Sequence, residues 1–407
     1  MAKLILLVID SFGIGAMDDC GEFNSADCRA NTYKHIRETV PGLKIPAMYR
    51  LGLGTLVDGT EPPLTAYGRS ALAHHGADTY LGHQEIAGSC PKQSTKRVMK
   101  DIHGKLADAL GHAGYQVSYP WADRPVFVVN DACVVGDNLE SSLGNIINLC
   151  ADFNKMPFEE LKKVGRIVRE NVDTSRVIAF GSPRTSLEHI LSVVKEKNPG
   201  QWGVDAPKAR VYGEGYDVYH MGHGVNIDGQ LPMIAARNGL KVYRIGKTAD
   251  VLHGEGPAYP VVDTKEVLRI LKETYEAEKD EAAFLVNVQE TDLAGHAEDP
   301  EWYAEILNYT DAWVEKFLPI MEEEDIIIIM ADHGNDPTIG HSNHTREYVP
   351  IMIYGKQVRQ TNIGTRQSMA DIGATMSAFF NLPPTNQGTS FLNQILNGNK
   401  KSNTSPH

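Results

Sequence analysis

The chain has 407 residues, 42% hydrophobic and 22% charged, the balance of a soluble globular protein with room for two domains and a sizeable core. A formal net charge of −13 with no basic block argues against nucleic acid or an anionic membrane surface as partner. The five cysteines, Cys20, Cys28, Cys90, Cys133 and Cys150, are odd in number and lack the close spacing of a zinc or redox motif, so reduced thiols in a cytoplasmic protein are expected.

The first segment, "MAKLILLVIDSFG", carries an apolar run that stops at Asp10, short of a signal-peptide core, and nothing later approaches the length of a membrane span. "KLILLVID" has the continuous apolar character of a strand buried on both faces of a parallel sheet. Next comes "GADTYLGHQEIAGS", a glycine-flanked loop before a predicted helix, with Thr79 at the junction. Alone, this is a capping signal, with Gln84 or Glu85 in the first turn, although backbone N–H groups at such a junction also favour a phosphate.

From about Pro91 to Gly224 the texture changes. A helical pattern from Lys96, strand-like "GYQVSYP" and "PVFVVND", helical "FEELKKVGRIVREN", strand-like "RVIAFG" and helical "SLEHILSVVKEK" describe a compact α/β unit of their own. The stretches "AGSCPKQ" and "HMGHGVNIDG" read as its two hinges. The expected organisation is a core of residues 1–90 and 225–396, an inserted smaller cap of 91–224, and a flexible tail of 397–407 whose composition offers too little to pack.

After the second hinge, "KVYRIGK", "AAFLVNVQETD", "DIIIIMADH" and "YVPIMIYG" read as further strands. Between them lie amphipathic helices, including one that starts at Asp299-Pro300 and keeps Trp302, Tyr303, Ile306, Leu307, Trp313, Val314 and Phe317 on one face. Alternating strands and helices make the class α/β with a mostly parallel sheet.

In open sheets of this class ligands sit at the carboxyl ends of the strands. Asp10 closes the first predicted strand, Asp292 and His296 follow the third, and Asp332 and His333 follow the fourth, with His344 eleven residues further on. Carboxylate oxygens and imidazole nitrogens together suit Mn²⁺ or Zn²⁺, and six such groups exceed what one tetrahedral ion uses, so two divalent ions are expected. Beside two metals, Thr79 becomes a nucleophile candidate, because a threonine hydroxyl needs an ion or a base to activate it.

Together, "VIDSFGIGAM", "GADTYLGHQE", "RIGKTAD…HGEG", "ADHGNDP…HTREYVP" and "MADIGATMSAFF…GTSFLNQIL" resemble the phosphopentomutases of the alkaline phosphatase superfamily, in order and over nearly the whole chain. The resemblance implies an alkaline-phosphatase-like core with an inserted cap. It implies that Asp10, Thr79, Asp332 and His333 hold one Mn²⁺ (Zn²⁺ or Mg²⁺ being alternatives) and that Asp292, His296 and His344 hold the other. It further implies that Thr79 is carried as phosphothreonine, primed by a sugar bisphosphate, that Asp131 binds sugar hydroxyls, and that Lys247 lies near the transferred phosphate. The implied activity is intramolecular phosphoryl transfer on a small phosphorylated sugar, ribose 1-phosphate to ribose 5-phosphate or a relative of it, the alternative being a phosphohydrolase on the same core.

Two departures accompany the resemblance. In "QETDLAGHAED" Asp292 and His296 are four residues apart, a gap that resembles the cofactor-independent phosphoglycerate mutases instead. In the cap, "SRVIAFGSP" keeps Arg176 but places Phe180 at or near a second arginine, leaving Arg210 in "DAPKARVYGEGYDVYHMGHG" as the substitute for a guanidinium that grips phosphate. No feature of the sequence identifies a protein partner.

Overall fold

The computed structural model describes residues 1–63, 65–141 and 143–396. It divides into two units, Met1–Pro91 with Asn226–His407, and Lys92–Val225. The expected flexible tail, 397–407, lies outside the described residues.

The chain starts in the larger unit with β1 (Lys3–Ile9) and β2 (Ala66–Ser70). It then builds the smaller unit from β3 (Val117–Ser118), β4 (Phe127–Val129), β5 (Cys133–Asp137), β6 (Ile146–Asp152), β7 (Arg176–Ser182), β8 (Val194–Glu196), β9 (Trp202–Val204) and β10 (Asp217–Gly222). It returns through β11 (Lys241–Ile245), β12 (Ala258–Tyr259), β13 (Ala282–Val288), β14 (Ile326–Met330), β15 (Val349–Tyr354) and β16 (Thr361–Arg366).

The larger unit is one eight-stranded sheet in the order β12-β11-β13-β1-β14-β15-β2-β16. β1, β13 and β14 are buried at every residue, as strands covered on both faces must be, and their apolar side chains join one core. β15 alone among these eight runs against its neighbours, pairing antiparallel with β14 and with β2. This reversal matters for the site. A parallel connection would carry the chain to the far edge of the sheet, whereas the antiparallel one returns 331–348 to the edge it left, keeping that whole segment at the carboxyl ends.

The helix Pro300–Phe317 begins where Asp299-Pro300 predicts. Asp299 Oδ1 accepts from Trp302 N at 2.9 Å, and Tyr303, Ile306, Leu307, Val314 and Phe317 are its buried face. Trp302 and Trp313 are only partly covered.

In the smaller unit six strands form a sheet in the order β10-β7-β6-β5-β4-β3, with β6 and β7 its one parallel pair. β5 and β6 were not anticipated, and two expected elements differ. The helix read from "SLEHILSVVKEK" ends at Ser192, and Val194–Glu196 pairs with Trp202–Val204, because adjacent Val193 and Val194 favour an extended chain over a continued helix. His220, Met221 and Gly222, read as hinge, belong to β10.

The expectation of five reduced cysteines is also corrected. Cys20 and Cys28 form a disulfide across a short turn with Cα atoms 5.4 Å apart, while Cys90, Cys133 and Cys150 are free. Spacing alone could not show the chain folding back between residues 20 and 28.

Ile328 in the middle of β14 has no solvent exposure. Ile328→Ala is expected to lower unfolding free energy by about 2–5 kcal/mol, read from the urea midpoint.

Candidate functional site

The order β11-β13-β1-β14 places four parallel carboxyl ends side by side, and each delivers a charged group. Lys247 follows β11 after Gly246, whose φ of 76° makes a turn where a side chain would also meet Asn287 O. Asp292 lies in the helix Glu290–His296 after β13, Asp10 directly follows β1, and Asp332 stands two residues past β14. Asp10, Asp292 and Asp332 are all buried. Lys247 Nζ stands 3.6 Å from both Asp10 Oδ2 and Asp292 Oδ2.

Thr79 is the first residue of the helix Thr79–Ile86, and its hydroxyl lies 2.7 Å from His333 Nε2. The cap of this helix is Asp78, which accepts from Leu81 N at 2.8 Å, so Thr79 is free of the capping role its position had offered. Gly82 lets the helix lie against Asp332; a Cβ there would be 2.9 Å from Asp332 O. Ser11, beside Asp10, holds a φ of 65°, a strained conformation kept in place as its N–H donates to Asp332 Oδ1 and its hydroxyl meets Tyr303 OH.

Three histidines face the carboxylates in a common way. The Nδ1–H of His333 donates to Gly334 O (3.0 Å), that of His296 to Ser342 O (2.6 Å) and that of His344 to Ala77 O (3.1 Å). These bonds leave each Nε2 pointing inward. His344 Nε2 is 3.2 Å from Asp292 Oδ1, His296 Nε2 is 3.5 Å from Asp292 Oδ2, and His333 Nε2 is 3.5 Å from Asp10 Oδ1 and 3.4 Å from Asp332 Oδ2. Fixing an imidazole through its outer nitrogen is how proteins orient metal-binding histidines.

Desolvation and the neighbouring Asp332 raise the pKa of Asp10 well above the usual carboxylate range. Burial also opposes charge on Asp292 and Asp332, but the adjacent His296 and His344 hold Asp292 down, and the adjacent His333 and His83 with the Ser11 N–H do so for Asp332. Desolvation works against the ammonium of Lys247 too, yet Asp10 and Asp292 raise it. Burial pushes His333 down to about 4, so its Nε2 offers a lone pair at neutral pH.

This arrangement fits divalent cations. Asp10 Oδ1 and Asp332 Oδ2 are buried with no hydrogen-bond donor, a costly state unless something positive faces them. Asp10, Asp332 and His333 bring one ligand atom each within 4.8 Å of one another, as do Asp292, His333 and His344. His296 reaches the second group through its 3.0 Å Nε2 contact with His344.

Two polar residues unremarked in the sequence complete the arrangement. Asn287 Nδ2 donates to Asp10 Oδ2 and to His83 Nε2, and His83 Nδ1 in turn donates to Thr79 O. A single amide inside the apolar run "AAFLVNV", and a histidine four residues after Thr79, were the available signals. Asn335, beside the ligands in sequence, orients Asp292 by donating from its Nδ2 to Asp292 Oδ1 at 3.2 Å. Asp336 does not act this way; it binds Asn31 N and His35 and so fastens the loop to the helix Thr32–Thr39.

The remaining predicted residues lie in the smaller unit. Asp131 is exposed in the β4–β5 hairpin, where Asn130 and Asp131 have φ of 47° and 49°, as a type I′ turn demands. Arg176 begins β7 opposite Ile146, whereas the hairpin end of β5 aligns with Ala151 and Gly181, so Arg176 and Asp131 occupy opposite ends of this sheet. Arg210 is exposed with a φ of 57°, in the segment leading to β10, whose first residue aligns with Gly181 at the Asp131 end. Phe180 is buried in the small unit's core, which accounts for an aromatic ring at that position.

The metalloenzyme-superfamily profile matches residues 2–384. The chain belongs to the metalloenzyme superfamily. It is 31% identical to a phosphopentomutase of Alkaliphilus oremlandii, over 97% of this chain and 100% of that protein. It is 30% identical to one of Alkaliphilus metalliredigens (97% and 99%) and 31% to one of Symbiobacterium thermophilum (97% and 98%). No helix among the described residues is long and apolar enough to cross a membrane.

Glu85, fully buried at the far end of the Thr79 helix, collects Ala73 N, His74 N, His74 Nδ1, Ser368 Oγ and Met369 N. Desolvation opposes its charge, but these donors, His74 first, outweigh it and lower its pKa. Glu85→Ala strands His74 and is expected to cost about 3–5 kcal/mol in a denaturant titration.

Proposed function

We propose that this protein is a metal-dependent phosphomutase of the phosphopentomutase type, which moves a phosphoryl group between two oxygens of a ribose phosphate or a closely related sugar phosphate through phosphothreonine at Thr79. The observation that carries this reading is the Thr79 hydroxyl, 2.7 Å from His333 Nε2, beside buried Asp10 and Asp332 at a helix N-terminus. Full-length similarity to proteins named phosphopentomutase supports the same substrate class.

In this reading Asp10, Thr79, Asp332 and His333 hold one divalent ion and Asp292, His296 and His344 the other, Mn²⁺ ahead of Zn²⁺ or Mg²⁺. The bound ions supply positive charge that stabilises the transferring phosphoryl group. The N-terminus of the helix Thr79–Ile86 favours that group's negative charge, and Lys247, tethered by two carboxylates, adds an ammonium beside it.

A sugar hydroxyl oxygen bonds to the phosphorus of phosphothreonine as the bond to Thr79 Oγ1 breaks, the hydroxyl proton passing in net to the freed Thr79 Oγ1, which gives a sugar bisphosphate. That molecule turns round, Thr79 Oγ1 gives up its proton as it bonds to the other phosphorus, and the sugar oxygen there takes up a proton as its link to phosphorus breaks, so the enzyme leaves the cycle phosphorylated. A sugar bisphosphate from solution primes Thr79 by the second of these steps. Asp131 and Arg210 are assigned to the sugar and its standing phosphate; Arg176, at the other end of the small sheet, is left out of that assignment. A cytoplasmic location accompanies this substrate class.

The test is ³¹P NMR of Mn²⁺-loaded protein with ribose 1-phosphate and a trace of ribose 1,5-bisphosphate. Interconversion without inorganic phosphate is expected, and Thr79→Ala is expected to reduce it by on the order of 10⁴-fold or more. Steady phosphate release by the native chain would make it a hydrolase instead. Asp131→Asn keeps a residue suited to positive φ while removing the charge. It is expected to raise KM for the sugar phosphate by about tenfold with metal content unchanged; an unchanged KM would leave Asp131 as a turn residue alone.

A further inference from the structure

Arg346 is two residues beyond His344 and is 4% exposed. Its guanidinium uses all five of its N–H donors. Nε and Nη2 grip Asp19 Oδ1 and Oδ2 at 2.8 and 2.7 Å, Nη2 also reaches Leu72 O at 3.0 Å, and Nη1 reaches His74 O at 2.9 Å and Gly76 O at 2.5 Å. Its backbone N–H donates to Asp27 Oδ2, and the guanidinium lies 4.3 Å from the centre of the Phe23 ring. One side chain thus binds alternate carbonyls of the segment that runs into Thr79, from a backbone position beside a candidate ligand.

A second tie runs parallel to it, since His344 Nδ1 donates to Ala77 O. Residues 72–77 and 344–346 are therefore clamped at four carbonyls. The 71–78 segment has no strand or helix of its own to fix it. Its carbonyls are held by the fork geometry of an arginine, which a lysine, with three donors on one nitrogen, cannot reproduce.

We propose that Arg346 is a positioning residue for phosphoryl transfer, acting through the 72–77 segment to hold Thr79 in register with His344. This rests on the assignment of Thr79 as the phosphoryl carrier. Misplacing a reacting oxygen by about 1 Å is enough to cost on the order of 10²-fold in rate.

The experiment compares the Mn²⁺-loaded native chain with Arg346→Lys and Arg346→Ala, measuring amide hydrogen exchange, kcat and KM for ribose phosphate interconversion, and recovery by added guanidinium or ammonium ion. Exchange is expected to rise by about tenfold or more at residues 73–78 while β13 and β14 keep native protection. For both variants kcat is expected to fall by about 10²-fold with KM within about threefold, and millimolar guanidinium, not ammonium, is expected to restore part of it in Arg346→Ala. Native kcat in Arg346→Lys, equal recovery by ammonium, or loss of protection shared by β13 and β14 would each overturn the proposal. If the native chain shows no interconversion, the phosphomutase reading fails, while unchanged exchange at 73–78 in the variants would separately remove Arg346 from its role.

Discussion

Repulsion among Asp10, Asp292 and Asp332 is the constraint on which the rest of the larger unit depends. Three carboxylates sit out of water at adjoining strand ends, with the Lys247 ammonium beside two of them. Two of their oxygens lack any donor, and Asp10 is driven toward its neutral form by burial and by its neighbours. Such a cluster destabilises the fold that carries it, and a chain keeps one where a cation bound there recovers more than the cluster costs. Strands with no exposed residue are the mount that prevents the carboxylates from moving apart.

Around this cluster the ties are themselves buried charges. Glu85 collects the backbone of residues 73–74 and 369, Glu347 accepts from Thr32 and Thr345 side chains and from Gly15 N, and Arg346 binds carbonyls at 72, 74 and 76. Each charge is satisfied by several partners, the condition under which a buried ion is tolerable and its single-partner loss severe. The loops of the site are thereby held by polar networks, where an apolar core could fix only the strands.

Site legibility differed between the units. In the larger one, an aspartate or Asp-His at the end of a run such as "KLILLVID" or "DIIIIMADH" marked the location directly, because a strand buried on both faces is the least ambiguous pattern a sequence carries. Asn287, His83, Glu85 and Arg346 were not legible, since a polar side chain becomes informative only once its burial and partners are known. In the smaller unit the strands β5 and β6 went unread, and Asp131, named through the family resemblance, proved also to be half of a positive-φ turn. Arg176 and Asp131 were grouped as substrate contacts, but the β5–β6–β7 register sets them at opposite ends of one sheet.

By itself, the sequence determined the α/β class, five of the eight strands of the larger sheet, the residues at the carboxyl ends of the parallel ones, and the family, since these follow from local periodicity and from motifs contiguous in the chain. Tertiary structure alone decided that β1 lies between β13 and β14, some 280 and 320 residues away, that β15 runs backwards, and that Cys20 meets Cys28. Pairing between distant segments depends on the packing of the whole sheet, which no local window contains. Only that pairing brings Asp10, Asp292 and Asp332 together and turns separate strand ends into one centre.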